Sequence, residues 1–229
     1  MEQKVKHPWN LCEMDAIKLQ QELSLKVIKE DKITEIKYVA GVDVAYSEHS
    51  DKLIAAIVIL EASSLRLMES IVVEDTVDFP YIPGLFSFRE LPPIMKALKQ
   101  IKLLPQLIVC DGQGIAHPRR FGLASHLGVL LDIPTIGCGK TKLLGEFKDP
   151  DLKRGAHSPL VDNCEVIGSV LRTQDNIKPI FVSIGHRVSS KTACEWILKL
   201  SPRYRLPETT RQADQLVNKV LSNIQNDPK

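Results

Sequence analysis

The chain has 229 residues, 44% hydrophobic and 25% charged, with 30 Lys and Arg against 28 Asp and Glu for a formal net charge of +2. That composition is ordinary for a globular protein and excludes collagen-like, low-complexity and disordered classes, while the charge is too small to mark a nucleic-acid binder by itself. The longest apolar stretches, such as residues 53–60, fall far short of the roughly 20 residues of a membrane span.

Residues 11–28 read as an amphipathic helix, with Cys12, Ala16, Leu19, Leu23 and Val27 on one side. Three segments rich in Val and Ile follow at 38–46, 53–60 and 67–77. Polar turns such as Glu48-His49-Ser50-Asp51 separate them, which predicts an antiparallel meander. A loop at 79–86 leads into a helix running to about residue 102, with Leu91, Ile94, Met95, Leu98 and Ile101 on one face. The apolar run 107–110 is a buried strand, 121–131 a helix and 135–138 a further strand, giving a βα alternation. Residues 145–163 are polar and contain Pro and Gly, which predicts an irregular excursion. Segments 166–172 and 179–184 form a hairpin around Asp175-Asn176. Two helices end the chain. Ser189 or Ser190 caps the first, and Thr209 or Thr210 caps the second. The order implies one α/β domain with a mixed sheet.

Five dispersed cysteines, none at C-x-x-C spacing, argue against a disulfide framework or a zinc cage. Residues 1–10 lack the apolar core of a signal peptide, so a cytoplasmic location with reduced thiols is expected. Basic clusters at Arg119-Arg120, Lys140 with Lys142, Lys153-Arg154 and Arg187 with Lys191 each have solvated faces as the simpler explanation.

Three carboxylates stand out. Asp43 interrupts an otherwise uncharged strand, Asp111 ends an apolar strand before Gly112, and Glu90 shares a helix face with Ile94 and Leu98. A buried carboxylate costs several kcal/mol unless paired, hydrogen-bonded or bound to a cation. Converging from two strands and a helix, the three would offer the hard oxygen ligands that suit Mg²⁺. Taken singly, each is more often satisfied by backbone N–H groups or an arginine, and Ser87-Phe88-Arg89-Glu90 also fits a capping box. The prolines Pro92-Pro93 fit the first turn of a helix, which would place its start after Ser87. Gly139-Lys140-Thr141 resembles the end of a P-loop, but Pro134 stands where the motif needs glycine, so nucleotide hydrolysis is excluded. His117, His126 and His186 carry no metal spacing, and His186 reads as a turn residue. In Pro80-Tyr81-Ile82-Pro83-Gly84 two prolines stiffen the backbone around an aromatic ring, the tool needed to wedge between stacked bases.

These motifs, in order, resemble the endonuclease V family closely. The matching blocks are Ala40-Gly41-Val42-Asp43, residues 80–90, residues 111–126, Pro134-Thr135-Ile136-Gly137 with Lys140, residues 184–188, and residues 204–207 followed by 210–214. The resemblance implies an RNase H-like fold, with an N-terminal helix region at 1–30 and a catalytic core at 31–225 of a single domain. It implies Asp43, Glu90 and Asp111 as ligands of Mg²⁺, with Mn²⁺ as a substitute. Lys140 and His117 become groups for phosphate binding or transition-state support. Pro80, Tyr81, Ile82 and Pro83 become a strand-separating wedge, and Gly84, Gly112 and Gly137 a pocket for the deaminated base. The implied activity is nicking of DNA at the second phosphodiester bond 3′ to deoxyinosine and related bases, leaving 3′-hydroxyl and 5′-phosphate ends. No membrane and no obligate protein partner is implied. An inosine-specific endoribonuclease and a non-catalytic damaged-DNA binding protein are the alternatives. Gln113 stands where one common bacterial form has His, so a proton-shuttle role there is in doubt. Asp214 is placed only as an outer group near the site.

Overall fold

A computed structural model describes residues 1–33, 35–48 and 50–226, without the side chains of 225 and 226. Strands β1 (Tyr38–Tyr46), β2 (Lys52–Glu61), β3 (Leu67–Thr76), β4 (Leu107–Asp111), β5 (Thr135–Gly139), β6 (His157–Asp162), β7 (Glu165–Leu171) and β8 (Ile180–His186) form one sheet, ordered β3-β2-β1-β4-β5-β8-β7-β6. The meander β1–β3 is antiparallel, β1, β4 and β5 run parallel, and the remaining pairs are antiparallel. This is the RNase H-like mixed sheet of an α/β domain.

Helices cover both faces, which is why β2 is buried at eight consecutive positions rather than alternating. Helices α2 (Phe86–Leu98) and α3 (Leu123–Leu131) pack on one face against Ala40, Val42, Val44 and Ile57. Helix α5 (Glu208–Asn226) lies over the other face of the meander, seating Val217 and Leu221 on Ile54 and Ala56. Helix α4 (Ser190–Leu200) extends that layer over β7 and β8. Helix α1 (Glu13–Ser24) packs Ala16 beside Phe79, Leu85 and Phe88. The parallel register pairs Val42 with Cys110, so Asp43 and Asp111 follow side by side where that pairing ends, Asp111 at the carboxyl end of β4 and Asp43 within β1.

Several expectations are corrected. Helix α1 is shorter than 11–28, and Val27 lies beyond it. Ser87 caps nothing: α2 starts at Phe86, and the Ser87 hydroxyl bonds Nδ1 of His126 at 2.9 Å. The prolines lie inside α2 rather than in its first turn, and their missing N–H groups remove the helix bonds to the Phe88 and Arg89 carbonyls. Region 145–163 contains β6. Its burial alternates at Ser158 and Leu160, and Pro159 is tolerated because β6 is the sheet edge. His186 is the last residue of β8, not a turn residue. The β7–β8 hairpin forms, with Asn176 left-handed in its connection. Ser189 caps α4 by accepting from Thr192 N at 3.2 Å, whereas α5 begins at Glu208, which puts Thr209 and Thr210 inside its first turn. His49 of the predicted turn lies outside the described residues. Among the described residues no helix is long and apolar enough to cross a membrane.

Candidate metal centre and nucleic-acid cleft

Asp43 projects from within β1 and Asp111 from the end of the neighbouring parallel β4, and α5 delivers Asp214 from above the same sheet face. One carboxylate oxygen from each lies within 4.8 Å of the others. That spacing and the all-oxygen donor set fit a hard divalent cation. The electrostatics point the same way: burial and the charge on Asp111 push the Asp43 carboxyl up to about 7. A site that resists carrying its own negative charge is one that a cation would relieve.

Glu90 is buried on α2 and lines the same cleft. Burial first, and then the charge of Asp43, raises its carboxyl well above the ordinary value. Its hydrogen-bond donor among the described residues is the Tyr46 hydroxyl, 3.1 Å away. Glu90 thus stands beside the aspartate trio rather than inside it.

Lys140, just past β5, reaches into the trio, with Nζ 2.6 Å from Asp111 and 3.3 Å from Asp214. Partial burial opposes its charge, but the two aspartates outweigh that and hold the ammonium above the usual lysine range. It is therefore a permanent cation at the floor of the cleft. Gln113 donates through Nε2 to the Thr141 carbonyl at 3.3 Å and so braces the segment that carries Lys140.

His117 lines the cleft, yet both ring nitrogens are engaged. Nε2 donates to the Gly84 carbonyl at 3.0 Å, and Nδ1 accepts from Arg119 N at 3.2 Å. Burial and the Arg119 charge lower its pKa to about 4, so it is neutral near pH 7 and holds the scaffold. The Gly84 carbonyl also accepts from Gln20 Nε2 at 3.0 Å and Arg119 Nη2 at 2.6 Å. These three donors pin the end of the Pro80–Gly84 loop, and Gly84 itself has φ +80°. Arg89 Nη1 fixes the other end by donating to the Phe79 carbonyl at 3.3 Å. Between these anchors Tyr81 is 68% exposed, while Ile82 packs inward against the α1–α2 cluster.

The cleft encloses about 960 Å³ and brings together Asp43, Glu90, Asp111, Lys140, Asp214 and Tyr81. Ile82, Pro83, Gly84, Gly112 and His117 also line it. Pro80 and Gly137 do not. A Cβ on Gly137 would lie 2.4 Å from Gly114 N, so that glycine serves the close packing of β5 on the 112–114 segment. Asp214 joins the metal-fitting trio, nearer than the outer position expected from sequence. Its signal is faint but present: it stands three and seven residues before the buried Val217 and Leu221, hence on the sheet-facing side of α5.

Comparison with known proteins gives a consistent answer. The family profile described as Endonuclease V matches residues 21–215. Endonuclease V of Rippkaea orientalis is 50% identical over 204 residues, 89% of each chain. The crystal structure of Endonuclease V from Streptomyces avermitilis aligns with a TM-score of 0.91 at 44% identity, covering 96% of this chain and 98% of that one. That of Ciona intestinalis Endonuclease V, in complex with a 24mer DNA containing an inosine followed by a ribo-adenosine, aligns with a TM-score of 0.83 at 28% identity, covering 92% and 98%.

Proposed function

Because the chain belongs to the Endonuclease V family, and is therefore a nuclease, we propose that it is a Mg²⁺-dependent repair enzyme that nicks DNA at the second phosphodiester bond 3′ to deoxyinosine. The observation that carries this reading is the convergence of Asp43, Asp111 and Asp214 with Lys140 at the floor of a cleft whose rim bears an exposed, anchored Tyr81. A pure binding protein has no use for clustered carboxylates where a phosphate must approach.

Asp43, Asp111 and Asp214 would hold the cation, with Glu90 beside them; Mn²⁺ would serve in its place. When bound, such an ion supplies Lewis acidity toward a phosphate oxygen and eases ionisation of the attacking water. Lys140 neutralises charge that develops on the phosphate. Tyr81 enters the base stack, and its rigid loop keeps the ordering cost low. Gly84 and Gly112 let backbone groups approach the extruded base, while His117 and Gln113 hold the loops that carry the cleft walls. The Ciona relative was crystallised on DNA bearing a ribo-adenosine next to inosine, which makes a ribonucleotide 3′ to inosine the second substrate to assay.

The test is cleavage of a single-inosine duplex, and of the matching RNA strand, with and without Mg²⁺. The reading expects a single Mg²⁺-dependent nick 3′ to inosine. Cleavage without any divalent ion, or equal cleavage of the undamaged duplex, would overturn it.

A further inference from the structure

Side chains alternate along β1. Ala40, Val42 and Val44 join the core beneath α2 and α3, and Asp43 points to the opposite face toward Asp214. Tyr46 continues the first set. Its ring packs against the α2–α3 core, and its hydroxyl donates to Glu90 Oε1 at 3.1 Å. The ring is held from outside as well, since the Arg89 guanidinium lies 4.6 Å from its centroid and is itself tied to the Phe79 carbonyl. A glutamate side chain has three rotatable bonds, and Glu90, 4% exposed, borders the open cleft. The Tyr46 hydroxyl on Oε1 is the hydrogen bond that favours one of its rotamers.

We propose that Tyr46 is a positioning residue: by holding Glu90 Oε1 it turns the remaining carboxylate oxygen toward the acid cluster of the cleft and sets it to receive a divalent cation. Groups that orient a metal-facing ligand typically matter on the order of tenfold in metal affinity. A tyrosine that merely satisfies its hydroxyl in the core would not affect metal affinity. The inference rests on the metal site of the proposed function, where Glu90 stands beside the aspartate trio.

The test is Tyr46→Phe, which deletes the hydroxyl and keeps the ring and its stacking with Arg89. Mg²⁺ and Mn²⁺ binding are measured by calorimetry on wild type, Y46F, E90Q and the double variant, alongside metal-free melting and kinetics on an inosine duplex. The expected result is a metal-free Tm lowered by a few degrees through the lost donor on buried Glu90, metal binding weaker by about tenfold, and an unchanged KM for DNA. kcat should fall at low Mg²⁺ and recover at high Mg²⁺. In the E90Q background the Phe substitution should add nothing, which shows that Tyr46 acts through Glu90. Wild-type metal affinity in Y46F, or a full additional loss on top of E90Q, would overturn the assignment. If wild type binds no divalent ion, the metal site itself fails, and that outcome is distinct from failure of Tyr46 alone.

Discussion

The Thr209 carbonyl oxygen lies 2.2 Å from the position a Cβ on Gly41 would occupy, with Thr210 N at 2.8 Å. The first turn of α5 therefore rests on the bare backbone of β1, two residues before Asp43. Asp214 follows on the same helix and reaches the Asp43–Asp111 pair only because α5 starts that close. Backbone cannot yield as a flexible side-chain tip would, so any side chain at position 41 must lift the helix. Gly41→Ala is expected to lower Tm by several degrees, weaken Mg²⁺ binding more than tenfold and nearly abolish nicking. A Gly41→Ala protein with wild-type Mg²⁺ affinity would show that the approach of α5 does not set the site.

The aspartates separate catalysis from recognition. Asp43→Asn, Asp111→Asn and Asp214→Asn should each reduce nicking by at least about a hundredfold and weaken Mg²⁺ binding, while leaving affinity for inosine duplex within a few fold. Filter binding in Ca²⁺ beside a nicking assay in Mg²⁺ reads both. Full nicking by Asp214→Asn would return that residue to the outer position first assigned to it.

Which residues were legible in the sequence follows from what surrounds them. Asp43 was visible because it interrupts a buried apolar run and Asp111 because it ends one, where an ionised group is otherwise too costly. Asp214 was obscured because a carboxylate on an amphipathic helix is unremarkable until the sheet beneath it is known. The Ser87–Glu90 spacing suggested a cap, but Ser87 is taken by His126 and Glu90 by Tyr46, partners 39 and 44 residues away. Long-range packing overrides a local motif in such a case. β6 was hidden by Pro159, whose missing N–H matters only in an interior strand. His117 looked chemical because of its motif, and only its two fixed ring nitrogens reveal a latch.

Metal-free stability should carry the signature of Asp43. Its carboxyl is raised from an ordinary 3.8 to about 7 in the folded chain. A carboxyl raised by folding contributes stability that is fully present below its unfolded pKa and lost as pH rises through the folded value, here between about 4 and 7. At about 1.4 kcal/mol per pH unit, and allowing for partial solvent access, the loss is roughly 2 kcal/mol by pH 8. His7, His117, His126 and His186 are held below the usual imidazole value, chiefly by burial, and work in the opposite sense, weakening the fold as pH falls. The difference between wild type and Asp43→Asn isolates the carboxylate. Without metal the variant should gain Tm over wild type at pH 8 but not at pH 4. Mg²⁺ should raise wild-type Tm more at pH 8 than at pH 5, because the cation binds the ionised form. Equal melting of the two proteins across that range would contradict the raised pKa.

Lys140 should separate ion binding from turnover. Its ammonium forms salt bridges to Asp111 and Asp214, so it competes with a divalent ion for the same negative charge. Lys140→Met is expected to bind Mg²⁺ several-fold more tightly while kcat falls on the order of a hundredfold, the size of loss seen when one preorganised charge-stabilising group is removed. A tighter site with a slower reaction is hard to obtain by general disruption. Weaker Mg²⁺ binding in the variant would mean that Lys140 chiefly supports the loop.

Tyr81 offers the cleanest separation of wedge from chemistry. The ring is exposed, and the loop is anchored at Phe79 and Gly84 by contacts that do not involve the phenol. Tyr81→Ala should therefore leave Tm and Mg²⁺ affinity unchanged. Its cost should appear where a base must leave a stack, which takes a few kcal/mol in duplex DNA and much less in a single strand. Activity on an inosine duplex is expected to fall by about ten- to a hundredfold, against no more than about threefold on the unpaired strand. The check is kcat/KM for both substrates with wild type and variant under the same Mg²⁺ and salt, since salt alone shifts affinity for phosphate backbones. Equal losses on the two substrates would remove strand separation as the work of this loop and leave Tyr81 as a simple contact with the nucleic acid.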